Sequence, residues 1–315
     1  MANPQVTAVR GIELNVRDLA ASVAFYTNIW GLSEISRDGG SVYMRATGDE
    51  HHSLGLHQAA SSDLRSFNLA APDKASVDAL HAAALGFGTK VLDAPHQLDA
   101  ASGGGYGFSL TTPDGVSLTI SSDVARHAER LDDKTKPNKF SHIVLRTQDP
   151  DRMDAFFMDL LGFRLSDKNG HIDFLRCSPD HHSVAIAHAP GPGLHHMAFE
   201  LPDLDGLMGA CGRAKMAGYP IEWGIGRHAG PGENVFSMFV EPNGFAAEYT
   251  TEMFQCDEAT YPKRSIEYWK SVPIQPCSWG LATQRSEMLH KARSGTLTKD
   301  LNESGTNLGP RAAAN

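Results

Sequence analysis

Apolar and polar residues alternate in short runs along this chain, and each run leads into a stretch with helical spacing. IELNV (12–16) and IVLRT (143–147) have the period of a strand with one buried face. Each is followed by a potential helix N-cap, Asp18 or Asp149, and then by an amphipathic segment ending at Gly31 or Gly162. Glycine suits the left-handed conformation that such helix ends favour. More short strands follow in both places.

The two segments are copies. RGIELNVRDLAASVAFYTNIWGL (10–32) aligns with SHIVLRTQDPDRMDAFFMDLLGF (141–163) at an offset of 131. DEHHSLGLH (49–57) aligns with PDHHSVAIAH (179–188), and FNLAAPD (67–73) with MAFELPD (197–203), both at 130. TTPDGVSLTI (111–120) aligns with VEPNGFAAEY (240–249) at 129. An offset drifting by only two residues over four anchors marks a duplicated domain. Each copy is itself double, because PDKASVDALHAAALGFG and PDLDGLMGACGRAKMAGYP repeat the unit of capping Asp, helix and terminal Gly. The pattern predicts an α+β chain of four βαβββ modules. They form an N-terminal domain over 7–124 and a second over 139–254. A charged linker with Pro137 joins them. Residues 255–315 form an extension. Its aromatic part packs on the body, as a lid through Tyr268, Trp269 and Trp279 or as a simple cap. Its small, polar end, from Ser294, is expected to be disordered.

Composition narrows the function. Net charge is −9 with no block of Lys or Arg, which speaks against nucleic acid. No apolar stretch reaches the roughly 18 residues that would span a bilayer, and the N-terminus lacks the features of a secretory signal. Four widely spaced cysteines (177, 211, 256 and 277) suit reduced thiols, so a cytoplasmic location is expected.

The copies differ where chemistry appears. His142 stands where copy one has Gly11, His196 where it has Ser66, and Glu248 where it has Thr119. Three metal-ligating types thus replace three non-ligands, each within a predicted strand. Strand alternation puts His142 with Val144, and His196 with Ala198, on one face. Two His and one carboxylate are the ligand set of non-heme iron(II) oxygenases, which leaves one side of the ion open to substrate. Manganese(II) fits the same set. His195 is expected to face away from His196.

With these residues the chain resembles the vicinal-oxygen-chelate superfamily, and within it the two-domain extradiol catechol dioxygenases of the 2,3-dihydroxybiphenyl type, over about residues 7–255. The resemblance implies two tandem glyoxalase/bleomycin-resistance-like domains, each a half-open barrel, with metal in the second only. It implies that SHIVLR, LHHMAFE and GFAAEYT supply the ligands His142, His196 and Glu248 to iron(II). DHHSVAIA would supply an acid–base residue, His182, and GRHAGPGENVFSMF a second catalytic residue on the substrate side, His228. Met238 falls where family members often carry a substrate-binding tyrosine. His195, Arg227 and Met238 are the remaining candidates for substrate contact. The implied reaction inserts both atoms of O2 into a small aromatic diol beside its hydroxyls, in aromatic-compound catabolism. The absent tyrosine leaves open a non-catechol hydroxylated ring. A non-redox isomerase or a binding protein of the same fold is the further alternative. A homo-oligomer is expected.

Overall fold

The computed structural model describes residues 5–272 and 277–311. In the first half, β1 (Ala8–Val16), α1 (Leu19–Phe25), β2 (Ser33–Asp38), β3 (Ser41–Arg45) and β4 (Leu54–Gln58) form one module. A second comprises β5 (Asp63–Ala70), α2 (Lys74–Phe87), β6 (His96–Gln97), β7 (Tyr106–Thr111) and β8 (Ser117–Ser122). The second half repeats this plan. It holds β9 (Lys139–Thr147), α3 (Pro150–Ala155), β10 (Arg164–Lys168), β11 (Ile172–Arg176) and β12 (Val184–His188). The last module is β13 (Gly193–Glu200), α4 (Leu204–Met216), β14 (Trp223–Arg227), β15 (Val235–Val240) and β16 (Ala246–Thr251). These are the four βαβββ modules expected from the sequence.

Each half makes one eight-stranded sheet, in the orders β2-β3-β4-β1-β5-β8-β7-β6 and β10-β11-β12-β9-β13-β16-β15-β14. The modules join through the antiparallel pairs β1/β5 and β9/β13, while β1/β4, β5/β8, β12/β9 and β13/β16 are parallel. One local device starts the helix of every module. Asp18, Asp73, Asp149 and Asp203 accept a hydrogen bond from the backbone N–H three residues on. The first helix ends through a wider π turn, Tyr26–Trp30, and Gly31 at φ 92° reverses the chain.

The halves share a core. Trp30 of the first stacks on Tyr249 of the second with ring centroids 3.8 Å apart, and the Tyr249 hydroxyl donates to the Trp30 carbonyl at 2.8 Å. Asn243 bridges the same interface, donating to Ser22 Oγ at 2.9 Å and accepting from Ser62 Oγ at 3.1 Å. Among the described residues, no helix is long and apolar enough to cross a membrane.

The extension is more ordered than its composition predicts. It forms α5 (Ile266–Ser271), α6 (Glu287–Ser294) and α7 (Thr296–Ser304). Leu289, Ala292, Leu297 and Leu301 bury themselves against Trp223, Phe236, Met238 and Ala246 of the second sheet. Asn302 hydrogen-bonds the backbone of Ser62 in the first half. The expected disorder is therefore corrected for the helical stretch Thr296–Ser304. Sparse leucines at i and i+4 suffice for order when a preformed apolar sheet lies beneath them. The final residues, 312–315, lie outside the described residues.

Candidate metal centre

His142 belongs to β9, His196 to the neighbouring β13, and Glu248 to β16 on its far side. Register brings them level. Ala198 pairs with both His142 and Glu248, so the two ligands face each other across β13. Among the described residues, these three form the one group of His, Cys, Asp or Glu whose donor atoms all lie within 4.8 Å of one another. All three are buried. His196 Nε2 lies 3.3 Å from a Glu248 oxygen, and the His142 and His196 rings are 5.6 Å apart.

The electrostatics suit a cation. Burial pushes the His142 imidazole down to about 3 and lowers His196 also, so both offer neutral lone pairs. Burial alone would raise Glu248. The hydrogen bond from His196, with the imidazoles of His142 and His228 close by, outweighs it and holds the carboxyl down at about 2. Two neutral nitrogens and one buried carboxylate fit a divalent transition metal with open coordination positions.

The cavity in front of the triad has a volume of ≈ 170 Å³. His182, His228 and Met238, all named from sequence, line it. The His182 ring lies 4.4 Å from that of His142 and 5.1 Å from Phe174. A chain of contacts behind His182 orients it. The buried Asp167 carboxylate lies 2.7 Å from His181 Nε2, and His181 Nδ1 lies 3.1 Å from His182 Nδ1. A carboxylate only accepts, so Nε2 of His181 carries a proton, and in the singly protonated ring its Nδ1 accepts from His182. That leaves the other nitrogen of His182, Nε2, without a proton. Tyr261 OH and the Arg264 backbone N–H complete the shell of Asp167 at 2.7 and 3.1 Å. His228 stacks on Phe236 with centroids 4.1 Å apart, and burial pushes it down to about 4.

Two candidates for substrate contact lie elsewhere. Arg227 is engaged outside the cavity, donating to the Glu233 carbonyl and the Glu252 carboxylate beneath Trp279. His195 does not line the cavity, yet it does not face away from His196 either. The β9/β13 register slips between Leu194 and His196, and this bulge brings His195 Nδ1 to 2.6 Å from His196 Nδ1. Its other nitrogen accepts from Arg293 Nε at 2.7 Å.

Sequence reasoning missed Trp223, Asn234, Arg285 and Arg293 in the lining, and Asp167 with His181 behind it. Arg285 and Arg293 come from the extension, where no repeat supplied a comparison. Asn234 donates to Glu248 at 3.3 Å and to Thr250 Oγ1 at 2.8 Å, holding the carboxylate. Tyr268, Trp269 and Trp279 do not line the cavity. Arginines of the extension, rather than those aromatics, reach the cavity.

The first half has the same frame with different contents. Glu13, at the place of Val144, lines its cavity and is gripped by His52 Nε2 at 2.9 Å, His57 Nε2 at 2.6 Å and Asn68 Nδ2 at 2.7 Å. A Cβ added at Gly11 would lie 2.7 Å from the Ser53 carbonyl oxygen, so the counterpart of His142 has no room there without a backbone shift.

Known proteins are similar to this chain in sequence and fold. The model of the Glyoxalase/Bleomycin resistance protein/Dioxygenase superfamily matches residues 8–120 and 139–249. The crystal structure of a Mn(II)-bound glyoxalase from Novosphingobium aromaticivorans superposes with a TM-score of 0.83 at 38% identity, covering 90% of this chain and 94% of that one. Metapyrocatechase 2 of Cupriavidus necator is 32% identical over 120 residues, 37% of each chain. An iron-dependent extradiol dioxygenase of Rhodococcus jostii (strain RHA1) is 28% identical over 158 residues, 43% of this chain and 52% of that one. The chain thus aligns with only about a third to a half of these two curated relatives. The family model, by contrast, covers both halves of the duplicated frame and with them all three buried ligands. The chain belongs to the Glyoxalase/Bleomycin resistance protein/Dioxygenase superfamily.

Proposed function

We propose that this protein is an extradiol ring-cleaving dioxygenase acting on a small aromatic diol. The observation that carries the reading is the buried His142–His196–Glu248 triad opening onto a cavity that also holds His182 and His228. Its relatives include enzymes named for this chemistry. Iron(II), or manganese(II), held by the triad would supply the Lewis acidity and electron transfer that join the diol to dioxygen.

The chain's own residues do the rest. Val144, Ile172, Phe174 and Met238 give apolar walls that hold a flat ring and exclude water. Its unprotonated Nε2 makes His182 able to take a proton and return it at a fixed position, an acid–base role of the kind that contributes about 10²- to 10⁴-fold. On the wall carrying Trp223, His228 is kept neutral by burial and offers hydrogen-bonding to a substrate hydroxyl. Met238 replaces the expected hydroxyl donor with a soft apolar contact, which favours ring packing over a further hydrogen bond.

Four free, buried thiols support a cytoplasmic setting, and a homo-oligomer, readable by light scattering, is part of the same reading. The test is anaerobic loading with iron(II), then exposure to air with a panel of catechols. Oxygen uptake with a yellow ring-opened semialdehyde is expected, and His196→Ala should lose both metal and turnover. Full metal binding with no oxygen uptake on any catechol would refute the reading and favour an isomerase or binding role.

A further inference from the structure

The cavity contains two cations without a counter-ion. Arg285 and Arg293 both line it, and Glu248, committed to the triad, is the only acid that does. Among the described residues neither guanidinium forms an ion pair. Arg293 is spent only through Nε, on His195, and Arg285 lies over the Trp223 ring at 4.1 Å. Burial first, and then the charge of Arg285, lower Arg293 to about 9, which leaves it charged at neutral pH. Two mutually repelling cations in a half-dry cavity are costly unless an anion joins them.

Both are held in place. Arg293 projects from α6, whose Leu289 and Ala292 are buried against the sheet. Arg285 precedes Ser286, whose N–H donates to the Glu222 carbonyl at 3.0 Å and whose hydroxyl bonds the Glu222 carboxylate. Trp223 fixes Arg285 by a cation–π contact and lies 5.5 Å from His228, so the cations sit on the wall that would meet the ring's substituents. Fixed guanidinium forks match a carboxylate in paired hydrogen bonds. The cavity volume of ≈ 170 Å³ is close to the roughly 150 Å³ that accommodates a benzene ring.

We propose that Arg285 and Arg293 form an anion subsite, and that the diol cleaved here is a single ring carrying a carboxylate on a short arm. The inference rests on the oxygenase reading for ring cleavage and on the arginines alone for the anion. A matched pair of probes tests it: 3,4-dihydroxyphenylacetate, and 4-ethylcatechol as its uncharged analogue. Affinity is measured by calorimetry on the metal-loaded enzyme without oxygen, and kcat/KM separately in air. The acid should bind about 30-fold or more tightly than the neutral probe, the scale of a desolvated charge pair. Arg285→Gln and Arg293→Gln should each reduce that ratio by on the order of tenfold, and Arg285→Lys should restore part of it.

Equal affinities in the wild type would overturn the proposal. So would a preference for the acid that survives both glutamine variants. Arg285→Lys keeps the charge and guards against misreading a folding defect. If the acid binds through the arginines but neither probe is cleaved, the subsite stands and the oxygenase reading falls. If both are cleaved equally and bound equally, the reverse holds.

Discussion

Asp167→Asn is a small change with a calculable consequence. Asp167 has no exposed surface, and its carboxylate receives three donors: His181 Nε2, Tyr261 OH and the Arg264 N–H. An asparagine has one acceptor oxygen and one amide nitrogen. His181 and Tyr261 share Oδ2, while Arg264 uses Oδ1, so either orientation sets a donor against a donor. Losing a charge-assisted bond there should cost about 1 to 3 kcal/mol of stability. The larger effect is on turnover. Without the carboxylate His181 is free to turn or change tautomer, and His182 loses its fixed acceptor. Partners that orient functional groups at metal sites are typically worth 10- to 100-fold, so kcat should fall by about that factor while metal content stays at wild-type level. The assay is metal analysis, thermal unfolding and steady-state oxygen uptake on one catechol. Tyr261→Phe, which removes one donor but keeps the carboxylate, should leave kcat within about threefold. A fully metallated, folded Asp167→Asn variant with wild-type kcat would refute the orienting chain.

Further outcomes follow from the same geometry. His182→Ala should retain metal but lose about 10²- to 10⁴-fold in kcat, measured by oxygen uptake at full metal occupancy. Unfolding of the metal-free protein should become easier on acidification from pH 6.5 toward 4, by on the order of 2 kcal/mol or more. The unfolded rings take protons near 6.5, but folded His142 and His228 do so only near 3 and 4. The unfolded state therefore binds more protons in that window, and stability falls with pH. Glu241 and Asp154, raised by burial to about 7 and about 6, act in the opposite sense, so denaturant titrations in Glu241→Gln and Asp154→Asn backgrounds measure their share separately. Asn243→Ala should destabilise the joined halves by about 1 to 3 kcal/mol, because it strands Ser22, Ser62 and Glu241 without altering the triad; equal metal affinity with a lower unfolding midpoint is the expected readout.

Strands, helices and helix starts were legible in the sequence because they depend on neighbours a few residues apart. Period-two runs, capping aspartates and terminal glycines are local statements of backbone geometry. The metal ligands were legible for a rarer reason. The duplication supplies an internal reference, so His142, His196 and Glu248 stand out against Gly11, Ser66 and Thr119. Beyond the repeat that reference ends. The helices of the extension escaped notice because their apolar residues are few and their order comes from the sheet beneath. His195 was misplaced because strict alternation ignores the bulge beside it. Tertiary structure alone decided that Tyr261 and Arg264 close around Asp167 behind His181 and that Arg285 and Arg293 close the cavity, since those meetings join segments far apart in the chain. The sequence by itself determined the modules and the chemistry of the ligands. Strand register, the bulge and the docking of the extension determined which side chains share a cavity, because such meetings depend on how whole elements pack and leave no local period to read.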